Sequence, residues 1–519
     1  MKKTFLLSCL MLAAMPVMAA YTGHVYVDKN KNGVFDQSEK PLAGIKVSDG
    51  LNVVETAADG SFTLPGHERE RFIFITTPSG YKTFNRHYHK IEKKQSGYDF
   101  GLIPCSGRIR KNGSHRYIHI ADTEIFNTEN HADWVNNVRD YARNEQAAFI
   151  IHTGDICYEK GLKAHIKLMN TENMDCPVFY CIGNHDLVKG KYGEELFESI
   201  YGPVYYSFDA GNVHYVVTPM PGGDHAPGYT SDDVCRWLKN DLTHIRPGTP
   251  VVVFNHDLLT YEDTFIFKSK NAGSINLNEY NLKAWVYGHW HINYMKKQGD
   301  VYSVCTSSLD KGGIDHSTTA FRVMHVDSKG DFTSELRYTY LDKNICIASP
   351  AGVMASGVLP VAVNVYSSVS PVREVLYTCL ADGKPVLKNK RLLQSTDWSW
   401  NGELPLSHKY VGKELTLRVT ARFNNGEIAE AESNFICRTE KAVPLFSADW
   451  DNLSGNAKHS APVSAPLNLP LQLAWTNNVG ANLYMTSPLI HKGKVIVASV
   501  DEGSEMPVLG RVLVTTAML

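Results

Sequence analysis

Five apolar runs between residues 117 and 294 each end in a short polar cluster. Tyr117-Ile118-His119-Ile120 leads into Asp122-Thr123-Glu124, and Ala148-Phe149-Ile150-Ile151 into Gly154-Asp155-Ile156-Cys157-Tyr158. Val178-Phe179-Tyr180-Cys181-Ile182 leads into Gly183-Asn184-His185-Asp186. Val251-Val252-Val253-Phe254 leads into Asn255-His256-Asp257, and Ala284-Trp285-Val286-Tyr287 into Gly288-His289-Trp290-His291. Unbroken apolar runs of this length suit strands buried on both faces. Helix-length segments separate the first three runs, as at residues 131–143. This alternation predicts βαβ units around a largely parallel sheet, an α/β fold. Polar residues just past the carboxyl ends of such strands converge on one crevice.

The flanking pattern is different. From Tyr21 to about Cys105, short β-type runs alternate with turn residues such as Asp49-Gly50 and Asp59-Gly60, which predicts a small β-sandwich. From Cys346 to about Cys437 the pattern again reads as strands and turns, and it resembles an immunoglobulin-like sandwich. The last stretch, with Leu473-Ala474-Trp475 and then Leu489-Ile490-His491-Lys492-Gly493-Lys494-Val495-Ile496-Val497, resembles the entry to a quinoprotein-type β-propeller. One blade cannot close a propeller, which needs ~4–8. The expected organisation is a leader at 1–19, a sandwich at 20–105, a central domain at 106–342, a second sandwich at 343–440 and an incomplete propeller-like segment at 441–519.

Composition bounds the function. A chain of 519 residues exceeds one ordinary domain of ~100–200 residues, and 43% hydrophobic residues allow real cores. A formal charge of −2 gives no case for nucleic-acid binding. After the leader, no apolar run approaches the ~18 residues of a membrane helix. Residues 1–19 read as a secretory signal peptide: Lys2-Lys3 is the basic start, residues 5–15 the apolar core, and Val17-Met18-Ala19 the cleavage site. The rival reading is a lipoprotein signal at Leu6-Leu7-Ser8-Cys9, before which too little apolar sequence stands. The expected location is exported, periplasmic or cell-surface. Nine of the ten cysteines follow the signal, so at least one stays unpaired within the chain. Cys176 and Cys181 read as buried apolar residues.

One loop of the first sandwich fits the twelve-residue calcium pattern. Oxygen side chains fall at Asp28, Asn30, Asn32, Asp36 and Glu39, Val34 would offer its carbonyl, and Gly33 sits at the sharp turn. A structural calcium is one expectation there, and a plain polar Asn-Gly turn is the other. The polar stretch at 79–94, with His87-Tyr88-His89, reads as exposed surface.

The Asp, Asn and His side chains of the five clusters suit first-row divalent or trivalent metals. Taken singly, each has a plainer role as a turn cap or packed polar group. Together, the order D-x-E, G-D, G-N-H-D, H and G-H-x-H resembles the calcineurin-like metallophosphoesterases over about residues 115–340. The resemblance implies a four-layer α/β/β/α core flanked by accessory β domains and an exported phosphoesterase acting on phosphomonoesters or phosphodiesters. It implies Asp155 bridging two metals (Mn, Fe, Zn or Mg), Asp122 and His291 completing the first, and Asn184, His256 and His289 the second. It further implies a metal-bridging hydroxide as nucleophile, His185 as general acid and Asp186 orienting His185. Two departures leave the first metal open. Glu124 stands where the family usually has His, and Tyr158 matches the G-D-x-x-Y of purple acid phosphatases, whose Tyr binds ferric iron. Either can be the ligand. The alternative function is a non-catalytic binding or scaffolding protein on a degenerate core.

Overall fold

The computed structural model describes residues 20–84, 86–439, 450, 452–458, 460, 487–491, 494–498 and 512–515. The leader expected at 1–19 and most of the segment expected at 441–519 lie outside them.

The five apolar runs form strands divided between two facing sheets. The first sheet is built on β1 (His115–Ile120), β2 (Ile150–His152) and β3 (Val178–Tyr180), which pair in parallel. The second contains β4 (Tyr206–Ala210), β5 (Val213–Val217), β6 (Val251–Phe254) and β7 (Leu282–Tyr287), with β5, β6 and β7 in parallel. Antiparallel strands extend both sheets, so each is mixed: β8 (Ala320–Val326) pairs with β1, and β4 with β5.

Strand alternation sorts the side chains by layer. Tyr117 and Phe149 stack with centroids 4.7 Å apart and meet Tyr215 and Phe254 of the other sheet edge-on. Ile118, Ile120 and Ile150 point the other way, onto Trp134, Val138 and Leu162 of helices α1 (Ala132–Asn144) and α2 (Tyr158–Leu168). On the far side, Trp237, Leu238 and Leu242 of helix α4 (Ser231–Thr243) join the second sheet's core, helix α3 being Glu195–Tyr201. The result is helix, sheet, sheet, helix. Each apolar run is buried on both faces because both faces are covered.

Residues 21–104 form two facing sheets around Val25, Val47, Phe62, Leu64, Ile73, Ile75 and Leu102. They grip the central domain tightly. Thr77 bridges to Phe208, Thr76 Oγ1 lies 2.9 Å from Ser207 Oγ, and Arg71 reaches Glu194 at 2.8 Å and Glu198 at 3.0 Å. The stretch read as exposed surface instead supplies the strand Tyr88–Lys90, and the His87 ring packs against Tyr206 at 4.6 Å. Neighbouring strands provide the cover that local polarity does not announce. Residues 344–438 form a second pair of facing sheets around Val363, Tyr377, Trp400, Leu417 and Val419. Farther on, Leu489–His491, Lys494–Ala498 and Val512–Thr515 pair as a three-stranded antiparallel sheet.

Candidate metal centre

All five clusters leave the same end of their strands, and the chain turns sharply there. Asp122, Glu124, Asp155, Cys157, Tyr158, His289 and His291 all have left-handed backbone, with φ between 43° and 76°. Non-glycine residues held this way cost about 1–3 kcal/mol each and gather at functional sites. Gly154 and Gly183 permit the crowding. A Cβ on Gly154 would stand 2.7 Å from His256 Nδ1, and one on Gly183 only 2.2 Å from Asp155 Oδ1.

The floor of the site lies below the surface. Asp122, Asp155 and His256 are buried. His256 Nδ1–H donates to the Thr153 carbonyl at 2.7 Å, which fixes the tautomer and leaves the Nε2 lone pair facing inward. That Nε2 stands 3.1 Å from Asp155 Oδ2 and 3.9 Å from Asp122 Oδ1, yet makes no hydrogen bond. Asn184 Oδ1 is likewise buried without a partner. His289 joins the group: one ligand atom each from Asp155, His256 and His289 lie within 4.8 Å of one another. The His289 backbone N–H donates to both oxygens of Asp122 at 3.1 Å. Burial pushes the Asp122 carboxyl well above its usual range; His256 opposes this and Asp155 adds to it. An imidazole nitrogen facing two buried carboxylates, with the Asn184 oxygen left without a partner, fits a bound cation.

The first-metal side is more open. His291 Nε2 lies 3.5 Å from Asp122 Oδ1 and 3.6 Å from Glu124 Oε1. Glu124 therefore reaches the site, although Lys311 Nζ holds its Oε2 at 2.8 Å. Glu124 also groups with Asp155 and the buried Cys157, whose thiol is pushed up by burial and nearby carboxylates. Tyr158 is 43% exposed and faces Phe126 and His185 with its ring.

The rim carries a dyad in which one partner was not anticipated. His185 Nδ1–H donates to Asp224 Oδ2 at 2.8 Å. Desolvation pulls the imidazolium pKa down, but the Asp224 bond and the charges of Asp155, Asp224 and Glu124 outweigh it, and the net shift is upward. Asp186 does not orient His185. It is fully buried and accepts the backbone N–H groups of Asp155 (2.9 Å), Cys157 (2.8 Å) and Gly183 (2.9 Å). It ties the loops after the second and third apolar runs together through these three amides, and the His185 ring bonds Asp224 instead. Asp257 Oδ1 accepts Trp290 Nε1–H at 3.0 Å, anchoring the ring between His289 and His291.

Sequence reasoning missed Asp224 because it lies in a loop some 40 residues on. The signal in the sequence is the length of the polar loop at 219–228, which carries Asp224 beside the exposed His225. That loop is held at its other end. Gly228 N–H donates to the buried Glu194 at 2.9 Å, and Arg69 donates to the Gly228 carbonyl at 2.7 Å.

In the calcium-pattern loop, Asp28 accepts N–H groups of Asn32 and Gly33, Asn30 and Asn32 donate to Asp36 Oδ2, and Glu39 accepts from Lys29 and Asp36. Both the polar turn and the calcium loop draw these side chains together.

Residues 115–293 match the family model described as calcineurin-like phosphoesterase. The central domain is a calcineurin-like phosphoesterase domain. Residues 29–104 match the model for the N terminal of calcineurin-like phosphoesterase. The phosphoesterase region is also similar to purple acid phosphatase 13 of Arabidopsis thaliana, 26% identical over 215 residues, covering 39% of this chain and 36% of that protein. The chain thus spans about a third of the length of this curated relative. Among solved structures, a predicted phosphoesterase from Streptococcus pneumoniae TIGR4 aligns with 44% of this chain and 98% of its own, at 10% identity and a TM-score of 0.21, too low to carry an argument. Among the described residues, no helix is long and apolar enough to cross a membrane.

Proposed function

We propose that the chain is an exported phosphoesterase that uses two metal ions to hydrolyse phosphomonoesters or phosphodiesters. One observation carries the reading: His256 Nε2 converges with Asp155, Asp122 and His289 on a buried floor, and His185, whose backbone N–H bonds Asp155, carries the Asp224 dyad. Asp155 would be shared between the metals, with Asp122, His291 and Glu124 on one side and Asn184, His256 and His289 on the other. Bound metals of this kind acidify water to a pKa of ~7 and neutralise phosphoryl charge. The chain supplies the rest. His256 is locked in the ligating tautomer by Thr153. Asp186 fixes the loops that carry Asp155 and Asn184. His185, whose pKa is raised against desolvation by its hydrogen bond to Asp224, is placed to give its proton to the leaving oxygen.

Purified protein is expected to carry about two metals per chain and to hydrolyse 4-nitrophenyl phosphate or its bis ester, with loss of both on chelation. Metal-replete, folded protein that turns over no phosphoester would return the scaffold alternative. Glu124 and Tyr158 separate by colour: a ferric phenolate absorbs in the visible, and Tyr158→Phe would abolish the band. Export rests on residues 1–19 and is tested by cell fractionation. A structural calcium at residues 28–39 rests on the spacing of its oxygens; a calcium-dependent rise in melting temperature would support it.

A further inference from the structure

Beside His185, on the open side of the site, the chain holds two large aromatic rings in solvent. Phe126 is 56% exposed and Tyr158 43%. Their planes are 17° apart, with centroids separated by 6.2 Å, so the two faces are nearly parallel. The Tyr158 ring lies 5.3 Å from the His185 ring. Two adjacent exposed rings at the mouth of the site offer an apolar surface to a ligand. Tyr158 is held outward by its backbone. Cys157 and Tyr158 both have left-handed φ, 76° and 53°, and the Tyr158 N–H donates to the His185 carbonyl at 3.1 Å. The Tyr158 ring and the imidazole are therefore set side by side by a strained turn.

We propose that Phe126 and Tyr158 form the leaving-group subsite, and that the substrate class is phosphoesters whose leaving group carries a planar aromatic ring. The inference rests on the phosphoesterase reading, because His185 marks which side of the phosphorus the leaving group occupies. The group that takes the His185 proton must emerge next to that ring, and what lies there is a flat π surface. Near-parallel aromatic faces receive a planar ring face-on or offset, and this geometry favours it over a puckered ring of equal size.

The test compares 2-phenylethyl phosphate with 2-cyclohexylethyl phosphate on metal-replete, full-length protein. Both release an alkoxide of similar basicity, so demand for the acid is matched and only ring planarity differs. Phe126→Ala is expected to lower kcat/KM on the phenyl substrate by about two- to tenfold more than on the cyclohexyl one, chiefly through KM. Phe126→Trp should restore the difference. Because Phe126 is exposed, the fold should survive either change, which circular dichroism checks. Equal losses on both substrates, no loss on either, or a wild-type preference for the cyclohexyl ester would each overturn the subsite while leaving the phosphoesterase reading intact. A wild-type protein that hydrolyses neither ester, nor any other phosphoester, overturns the underlying reading and the subsite with it.

Discussion

The floor and the rim of the phosphoesterase site are built in opposite ways. On the floor, Asp122, Asp155, His256 and Asp186 are buried, and each is fixed by backbone groups: His289 N–H, His185 N–H, the Thr153 carbonyl, and the three amides on Asp186. On the rim, His185, Asp224, Glu124 and His291 are partly open and are held mainly by one another or by Lys311. A buried charge left without its partner costs several kcal/mol, whereas an exposed pair contributes ~0–1 kcal/mol. Removing a floor residue is therefore expected to cost the site more than breaking one of the exposed rim pairs.

The sharpest break of that comparison is Asp155→Asn. It removes the carboxylate shared by both halves of the floor, so both metals should be lost and turnover should fall by at least about 10³-fold. Full metal occupancy with near wild-type turnover would erase the distinction. Next, His185→Ala should leave metal content unchanged while slowing alkyl phosphoester hydrolysis by about 10²–10⁴-fold, with activated aryl esters much less affected. If the metals leave, His185 belongs to the floor.

Asp224→Asn should have a smaller effect, about tenfold on alkyl esters, because the acid stays but loses its orienting partner. Its signature is in the pH profile. Asp224 holds the His185 pKa above the ordinary value, and the acid works only when protonated. Removing the carboxylate should move the alkaline limb of kcat/KM to lower pH, and an unmoved limb would assign that limb to another group. The smallest catalytic effect is expected for Arg71→Ala. Arg71 pairs with the buried Glu194 and Glu198, and Glu194 in turn holds Gly228 at the far end of the Asp224 loop. Since Arg71 is about a quarter exposed, the stability cost should fall below the ~3–5 kcal/mol of a fully buried pair. A lowered melting temperature with kcat reduced less than in Asp224→Asn is the expected outcome. A kcat loss matching His185→Ala would make the first sandwich part of the catalytic machinery.

Much of the floor was legible in the chain. Gly-Asp, Gly-Asn-His-Asp and Gly-His-x-His each keep the candidate ligand next to its glycine, so local sequence carries the residue type and the room beside it. The strands were legible for the same local reason: long apolar runs announce burial on both faces, and the run ending at Phe254 is strand β6, Val251–Phe254. The rim was not. Asp224 meets His185 across 39 residues, Lys311 meets Glu124 across 187, and Arg71 meets Glu194 across 123. No spacing rule covers such separations. Asp186 was misread for a related reason. Adjacency to His185 in sequence suggested a partnership, but at a sharp turn successive side chains point apart.

By itself, then, the sequence determined which residue types stand at the ends of which strands, and so the metal-binding character of the centre. Only the tertiary structure divided the five runs between two sheets, turned Asp186 inward onto three backbone amides, and brought Asp224 to His185. The physical reason is range. Periodicity and turn chemistry act over a few residues, whereas the partner a polar side chain finds depends on which loops the packed sheets carry to the same edge.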